Sequence, residues 1–333
     1  MIDNKKSPAR SLILIILTLA MALSACNRQP EASAVPQPTA SPAEPQPTYT
    51  PTAAPARLVL YDPSNLVDPS LPGLLTEMAS TNALGFETWT ALGPNLDGVR
   101  IMLVYGDLPN LADVAASAPQ TQFVVLSHNV TSAADISVMR VNEVHQAFVA
   151  GYLAVMLADE FRATALISDN TNLGLADAFE NGGRYLCGSC TSVYTPLISS
   201  PNPYTLSGSS DAAAWAALTS AMLTDTNANT VFIGPDAELP EVLDLLPNAF
   251  LIGSDPASLH RDRFIAIFGP DILAALQQTL PDLLAGNGGK DITAPVKVVV
   301  NNNPELISPA KLQLLNQVIQ DLQADKIVPL SIP

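Results

Sequence analysis

From Arg57 onward the chain repeats one unit: a short aliphatic or β-branched run, a turn, and an Ala/Leu-rich stretch with helical spacing. Arg57–Tyr61 (RLVLY), Val99–Tyr105 (VRIMLVY), Gln122–Leu126 (QFVVL), Ala163–Ile167, Thr230–Ile233 and Ala249–Ile252 read as strands. Residues 72–81, 108–118, 173–181 and 239–246 read as helices. Residues 144–161 read as the most amphipathic helix, with Phe148, Tyr152, Val155, Met156 and Asp159 marking its spacing. Strands that alternate with helices build parallel sheets covered by helices on both faces. The expected class is therefore α/β, and residues 57–333 are enough for two such sheets. Gly151, in the middle of the longest helix, costs about 1 kcal/mol against Ala, so its presence marks close packing against a neighbouring element.

The start of the chain reads as a secretory leader. Lys5, Lys6 and Arg10 precede an apolar run from Leu12 to Leu23, which ends in Leu23-Ser24-Ala25-Cys26. The run falls well short of the ~20 residues that cross a bilayer as a helix. Leu-Ser-Ala-Cys resembles the bacterial lipobox, which implies a leader over 1–25, a diacylated Cys26 and an extracytoplasmic protein held on the cell membrane by its N-terminal lipid. Residues 26–56 are rich in Pro, Ala, Thr, Ser and Gln and cannot bury a core; an extended tether is expected, rising ~3 Å per residue where it is polyproline-like.

The balance of 15 basic and 31 acidic residues, net −16, argues against nucleic acid or an anionic lipid surface as a partner, since both need clustered Lys and Arg. Cys187 and Cys190 are the other cysteines; outside the cytoplasm a C-x-x-C pair defaults to a local disulfide. His128, His145 and His260 are scattered and no second ligand pair accompanies the cysteines, so no metal is expected. The sequence carries no nucleophile elbow, phosphate loop or zinc helix. A binding protein without cofactor or catalytic residues is the expectation.

In open parallel sheets ligands bind beyond the carboxyl ends of the strands. Six loops follow the strands named above: 62 to 70, Gly106-Asp107, 127–129, 168–170, 234–236 and Ser254-Asp255. They share Asp, Asn, Ser and Gly, residues that turns and helix caps also favour.

Val141–Ala154 (VNEVHQAFVAGYLA) resembles the F-x-x-G-Y-L-A helix of the basic membrane protein (BMP) family, substrate-binding lipoproteins that serve ABC transporters of purine and other nucleosides. Asp113–Phe123, Phe179–Gly183, Ile252–Asp255 and Ser308–Pro329 are similar to further family segments. The resemblance implies a type I periplasmic-binding fold: two Rossmann-like lobes with parallel sheets, joined by a hinge of three crossovers. It implies lobe 1 over 57–127 plus about 256–290, and lobe 2 over 128–255 plus about 291–333. Where the family has an Asp-Lys/Arg-Ser-Phe-Asn-like segment, this chain reads Asp68-Pro69-Ser70-Leu71-Pro72, keeping the Asp and Ser and lacking the aromatic that stacks on a base. Tyr204, Tyr194 and Trp89 are the candidates to replace it. A family Lys has no counterpart near Phe268-Gly269, and Asp255 falls where a family carboxylate accepts hydrogen bonds from ribose hydroxyls.

Strand-end position and resemblance together put forward Asp62, Asp68, Ser70, Tyr105, Gly106, Asp169, Tyr204, Gly234 and Asp255 as ligand-binding residues. The implied partners are a small polar, nucleoside-like ligand and an ABC-transporter permease. Two rival readings are a sensory or scaffold lipoprotein with a degenerate site, and an extracytoplasmic thiol–disulfide enzyme using Cys187 and Cys190.

Overall fold

The computed structural model describes residues 55–330 apart from 94, 127–129, 170–172, 207–209, 256–257, 259 and 302–304. Cys26, the leader and nearly all of the tether lie outside the described residues. The first lobe opens with β1 (Arg57–Tyr61), α1 (Leu71–Thr81), β2 (Gly85–Trp89), β3 (Val99–Tyr105), α2 (Leu111–Ser117), β4 (Gln122–Leu126) and β5 (Ile136–Val141). The chain then crosses to the second lobe for α3 (Glu143–Leu157), β6 (Ala163–Ser168) and α4 (Leu175–Cys187). There follow a two-residue ribbon, β7 (Cys190–Thr191) with β8 (Ser199–Ser200), then β9 (Asn202–Leu206) and α5 (Ala212–Thr226). β10 (Thr230–Ile233), α6 (Pro240–Leu243), β11 (Phe250–Gly253) and β12 (Phe264–Pro270) complete that passage. A second crossing returns to the first lobe for α7 (Ile272–Leu284) and β13 (Asp291–Ala294), and a third leads to β14 (Val296–Val300) and α8 (Pro309–Gln323).

The first sheet has the order β13-β5-β4-β3-β1-β2 and is parallel throughout. The second has the order β14-β12-β11-β10-β6-β9, with only β14 antiparallel. The three crossings, 141–143, 270–272 and 294–296, lie side by side. Asn142 N–H donates to the Ala294 carbonyl (3.1 Å) and Asp271 N–H to the Pro295 carbonyl (2.7 Å). Two Rossmann-like lobes and a three-stranded hinge define the type I periplasmic-binding arrangement.

Each sheet is buried on both faces, which is why its strands read as unbroken aliphatic runs rather than alternating ones. Leu58, Leu60 and Leu103 pack under α1 and α7, while Val59, Val104 and Phe123 face α2. In the second lobe Phe232, Ile252 and Phe268 face α3, α4 and α8; Val231, Leu251 and Trp215 form the core under α5.

Several expectations are corrected by this arrangement. Strand membership divides the chain at other points than the expected lobe limits, because β5 joins the first sheet and β12 the second. A single strand carries no local mark of the sheet it will pair with, so those limits could be set only by pairing. The helix expected over 144–161 stops at Leu157, and the chain turns through Glu160 and Phe161 with positive φ. That helix is not amphipathic: eleven of its fifteen residues are buried, because it lies between the second sheet, α4 and α8. The helix expected over 173–181 runs on to Cys187. β2, β5, β9, β12, β13 and β14, with the short ribbon β7–β8, are strands beyond those that the sequence pattern predicts.

Candidate functional site

The carboxyl ends of the two sheets meet in a groove beside the hinge. Asp68, Tyr105 and Leu273 line it from the first lobe; Gly269, Lys297 and Val299 line it from the second. It holds about 450 Å³ counting its open mouth.

Asp62, just after β1, is 3% exposed and spends both carboxylate oxygens on the loop that follows, accepting from Leu66 N–H and Val67 N–H (3.1 Å each). Its role in the geometry is to shape the loop that presents Asp68. The Asp68 carboxylate accepts from the Ser70 backbone N–H and hydroxyl, both at 2.8 Å. Those bonds hold Asp68 below the usual carboxylate range, and the charges of Lys297 and Arg261 act in the same direction. Asp68 is thus an ionised acceptor on the groove wall, whereas the Ser70 hydroxyl is already committed.

Tyr105 ends β3 and is 5% exposed. Burial raises its phenol above the ordinary value; Asp255, Asp62 and Asp68 push the same way and Arg261 opposes them. The hydroxyl therefore stays neutral and able to donate toward the groove. Gly106 follows with φ +96, a conformation that a residue with a Cβ adopts only under strain.

In the second lobe Asp255 follows β11, and its charge is felt at both Tyr105 and Glu238. Gly234 is a close-approach position, since a Cβ there would come within 3.0 Å of the Leu166 carbonyl. Asp169 lies in a separate hollow with Ser168, Asp177 and Thr205 beyond β6 and β9, of about 420 Å³ counting its open mouth. The strand-end positions 127–129 and 170 lie outside the described residues.

The aromatic candidates are not brought to the groove. Tyr204 packs on the helix-covered face of the second sheet and donates its hydroxyl to Asp225 (3.2 Å) near the end of α5. Tyr194 sits by the amino end of that sheet, where the Arg162 guanidinium binds its carbonyl (3.0 Å). Trp89, at the end of edge strand β2, points its indole N–H back to Glu87 (2.9 Å). Cys187 and Cys190 are joined by a disulfide at the carboxyl end of α4. Among the described residues no cluster of three His, Cys, Asp or Glu side chains is placed to hold a metal, and no helix is long and apolar enough to cross a membrane.

Four residues of this region had no place in the sequence reading. Lys297 is the lone charge in the run VKVVV, pairs across the ladder with Gly269 and lines the groove beside it. Arg261 donates to the Leu66 carbonyl of the other lobe. Buried Gln146, within the motif helix, donates to the Ser254 (2.9 Å) and Phe268 (2.7 Å) carbonyls and ties the ends of β11 and β12 together. The fourth, Glu238, is pushed up to about 7 chiefly by burial; a hydrogen bond from Ser258 opposes the shift and Asp255 adds to it. A charged residue interrupting an aliphatic strand was the one signal available, and only for Lys297.

No protein-family model matches the sequence, and no curated protein matches it. Among solved structures, a transcriptional activator of the comK gene from Bacillus halodurans aligns at 12% identity over 80% of this chain and 98% of its own, with a TM-score of 0.47. An ABC-transporter solute-binding protein from Aeropyrum pernix K1 aligns at 13% identity over 83% and 93%, with a TM-score of 0.44. A periplasmic solute-binding protein of an ABC transporter from Actinobacillus succinogenes 130z, with bound D-allose, aligns at 12% over 74% and 97%, with a TM-score of 0.40. Likeness at these levels says nothing of ligand; the strand order and three crossings define the fold.

Proposed function

We propose that the chain is an extracytoplasmic solute-binding lipoprotein of the BMP kind, anchored through Cys26, that captures a neutral polar solute of nucleoside size between its lobes for an ABC-transporter permease. The observation that carries this reading is the groove itself, in which an ionised Asp68, a neutral Tyr105 hydroxyl and the Lys297 ammonium converge from different lobes. A carboxylate accepts only, and its charge-assisted bonds are about twice as strong as neutral ones, which suits a hydroxyl-rich ligand. The lysine and the phenol would meet ligand carbonyls or ring nitrogens.

Calorimetric titration of nucleosides, sugars and polyamines against wild type and Asp68→Ala tests the reading. Nucleoside binding that weakens at least tenfold in the variant, ~1.4 kcal/mol, is the expected result. No binding at millimolar nucleoside, or an affinity indifferent to Asp68, would overturn it. The anchor is tested separately: Cys26→Ala leaves an uncleaved, unlipidated precursor, and labelled palmitate still entering that variant would refute the lipobox.

The sensory or scaffold alternative draws support from Asp62 and Ser70 being used within their own loop. The thiol–disulfide alternative is disfavoured by position. Cys187 is the last residue of α4, where the negative end of the helix dipole opposes thiolate formation, the reverse of the helix N-terminus that activates catalytic cysteines.

A further inference from the structure

We propose that loop 192–198, between β7 and β8, is a membrane-insertion loop whose apolar tip enters the interface of the bilayer that carries the chain's lipid anchor. Val193, Tyr194 and Leu197 are 70%, 65% and 67% exposed, the three most exposed large hydrophobic side chains among the described residues, and they fall within five positions. Pro196, between them, is exposed as well. Single exposed apolar residues are ordinary, whereas several gathered at one tip mark a surface that meets an apolar partner. The sequence around the tip is also stripped of charge: no Asp, Glu, Lys, Arg or His occurs from 185 to 210, in a chain of which 14% is charged.

The base of the loop is braced. The Cys187–Cys190 disulfide ties β7 to the end of α4. Across the neck the Ser192 N–H donates to the Ile198 carbonyl (3.2 Å) and the Ile198 N–H to the Ser192 hydroxyl (2.9 Å), which itself donates to the Pro196 carbonyl (2.9 Å). The buried Arg162 guanidinium donates to the Tyr194 (3.0 Å) and Thr195 (3.4 Å) carbonyls, and is fixed by the Thr226 carbonyl (2.8 Å) and by Glu160 (3.4 Å). Three successive carbonyls of the tip, those of Tyr194, Thr195 and Pro196, therefore have partners inside the protein. That is what a segment needs to leave water, because lipid offers the backbone no hydrogen bonds. The phenol of Tyr194, apolar in its ring and polar at its end, suits the headgroup level.

Area and tether length identify the occupant. One such tip offers roughly a few hundred Å² of apolar surface, short of the roughly 800 Å² per partner in a stable protein interface, so a second copy would be held poorly. A bilayer already joined to the chain needs no such area. The 30 residues between Cys26 and Arg57 span at most ~100 Å, so a lipid on Cys26 keeps the loop at high effective concentration beside the surface, and a weak insertion adds to the anchor. The chain's net charge of −16 repels anionic headgroups, which makes the contact apolar and a zwitterionic surface the better fit. Arg162 precedes β6, so the loop it clamps lies at the amino end of the second sheet. The groove, beyond the carboxyl ends, is left in water when the loop inserts.

The inference takes from the lipoprotein reading only the nearness of a bilayer, and the two fail separately. The full chain is purified from membranes and reconstituted into phosphatidylcholine vesicles, with and without acyl-chain bromine as a contact quencher. Tyr194→Trp is expected to lose most of its added emission to bromolipid, while wild type, whose Trp89 and Trp215 lie outside the loop, is unchanged. Adding Val193→Ser and Leu197→Ser is expected to lower the ratio of inserted to free loop at least roughly tenfold. All three side chains are exposed, so melting like wild type is the control. Tyr194→Trp emission as indifferent to bromine as wild type overturns the insertion, and palmitate on Cys26 in the same sample leaves the lipoprotein reading standing. Quenching in protein without palmitate supports the insertion and removes the anchor instead. Quenching that survives both serine substitutions, or a dimer in lipid-free solution that they dissolve, overturns the insertion as well.

Discussion

Gly151→Ala and Gly182→Ala are each expected to lower stability by about 3 kcal/mol, near the top of the range for overpacked cores. The two glycines are reciprocal. A Cβ on Gly151 of α3 would overlap the Phe179 carbonyl of α4, and one on Gly182 of α4 would overlap the Phe148 carbonyl of α3. The obstacles are helix backbone rather than movable side chains, and Phe148 and Phe179 are themselves buried at 2% and 0% exposure. Alanine's better helix propensity returns only about 1 kcal/mol. The helices must therefore separate, opening the core that includes Phe232 and Phe268. Urea unfolding of both single variants and of the double decides the matter. The double should cost less than the sum, because helices already parted for one methyl accommodate the other. Midpoints within error of wild type would mean that α3 and α4 do not touch in this way.

The second large effect belongs to Gln146. Its amide is buried and donates to two carbonyls at once, those of Ser254 and Phe268. Gln146→Leu keeps the volume and removes both bonds, leaving buried acceptors that cost ~1–3 kcal/mol each when unmet. A loss of about 2–4 kcal/mol is expected, together with faster amide exchange in β11 and β12. Because Asp255 follows β11 and Gly269 lies near the end of β12, the variant should also weaken whatever ligand the groove takes. Unchanged exchange in β11 and β12 would show that Gln146 does not brace the site.

Much of the architecture was legible along the chain. Runs such as QFVVL and VRIMLVY announce strands buried on both faces, and the Ala/Leu segments between them announce the covering helices. Gly151 was legible as a contact point because a mid-helix glycine is otherwise a loss. Helix ends were read less well: α3 stops at Leu157 because the chain reverses through positive φ at Glu160 and Phe161, neither of which is a residue that favours that region.

The candidate site was legible only in position. Sequence picks out residues just beyond strand ends, and Asp68 and Tyr105 do line the groove. It could not separate them from Asp62, which serves its own turn, or from Tyr204, whose side of the strand faces a helix.

What the sequence determined by itself is local: α/β alternation, buried parallel strands, and the polar residues that strand ends offer to solvent or ligand. Those follow from periodicity and backbone preference, which each residue shares with its near neighbours. Only the tertiary structure decided which strands form which sheet, that the three crossings lie together as a hinge, that Lys297 lines the groove and that Arg261 reaches the loop before Asp68. Arg261 meets Leu66 across 195 residues of chain. No local pattern encodes such a meeting, because its energy comes from pairing and burial that exist only once both lobes have formed.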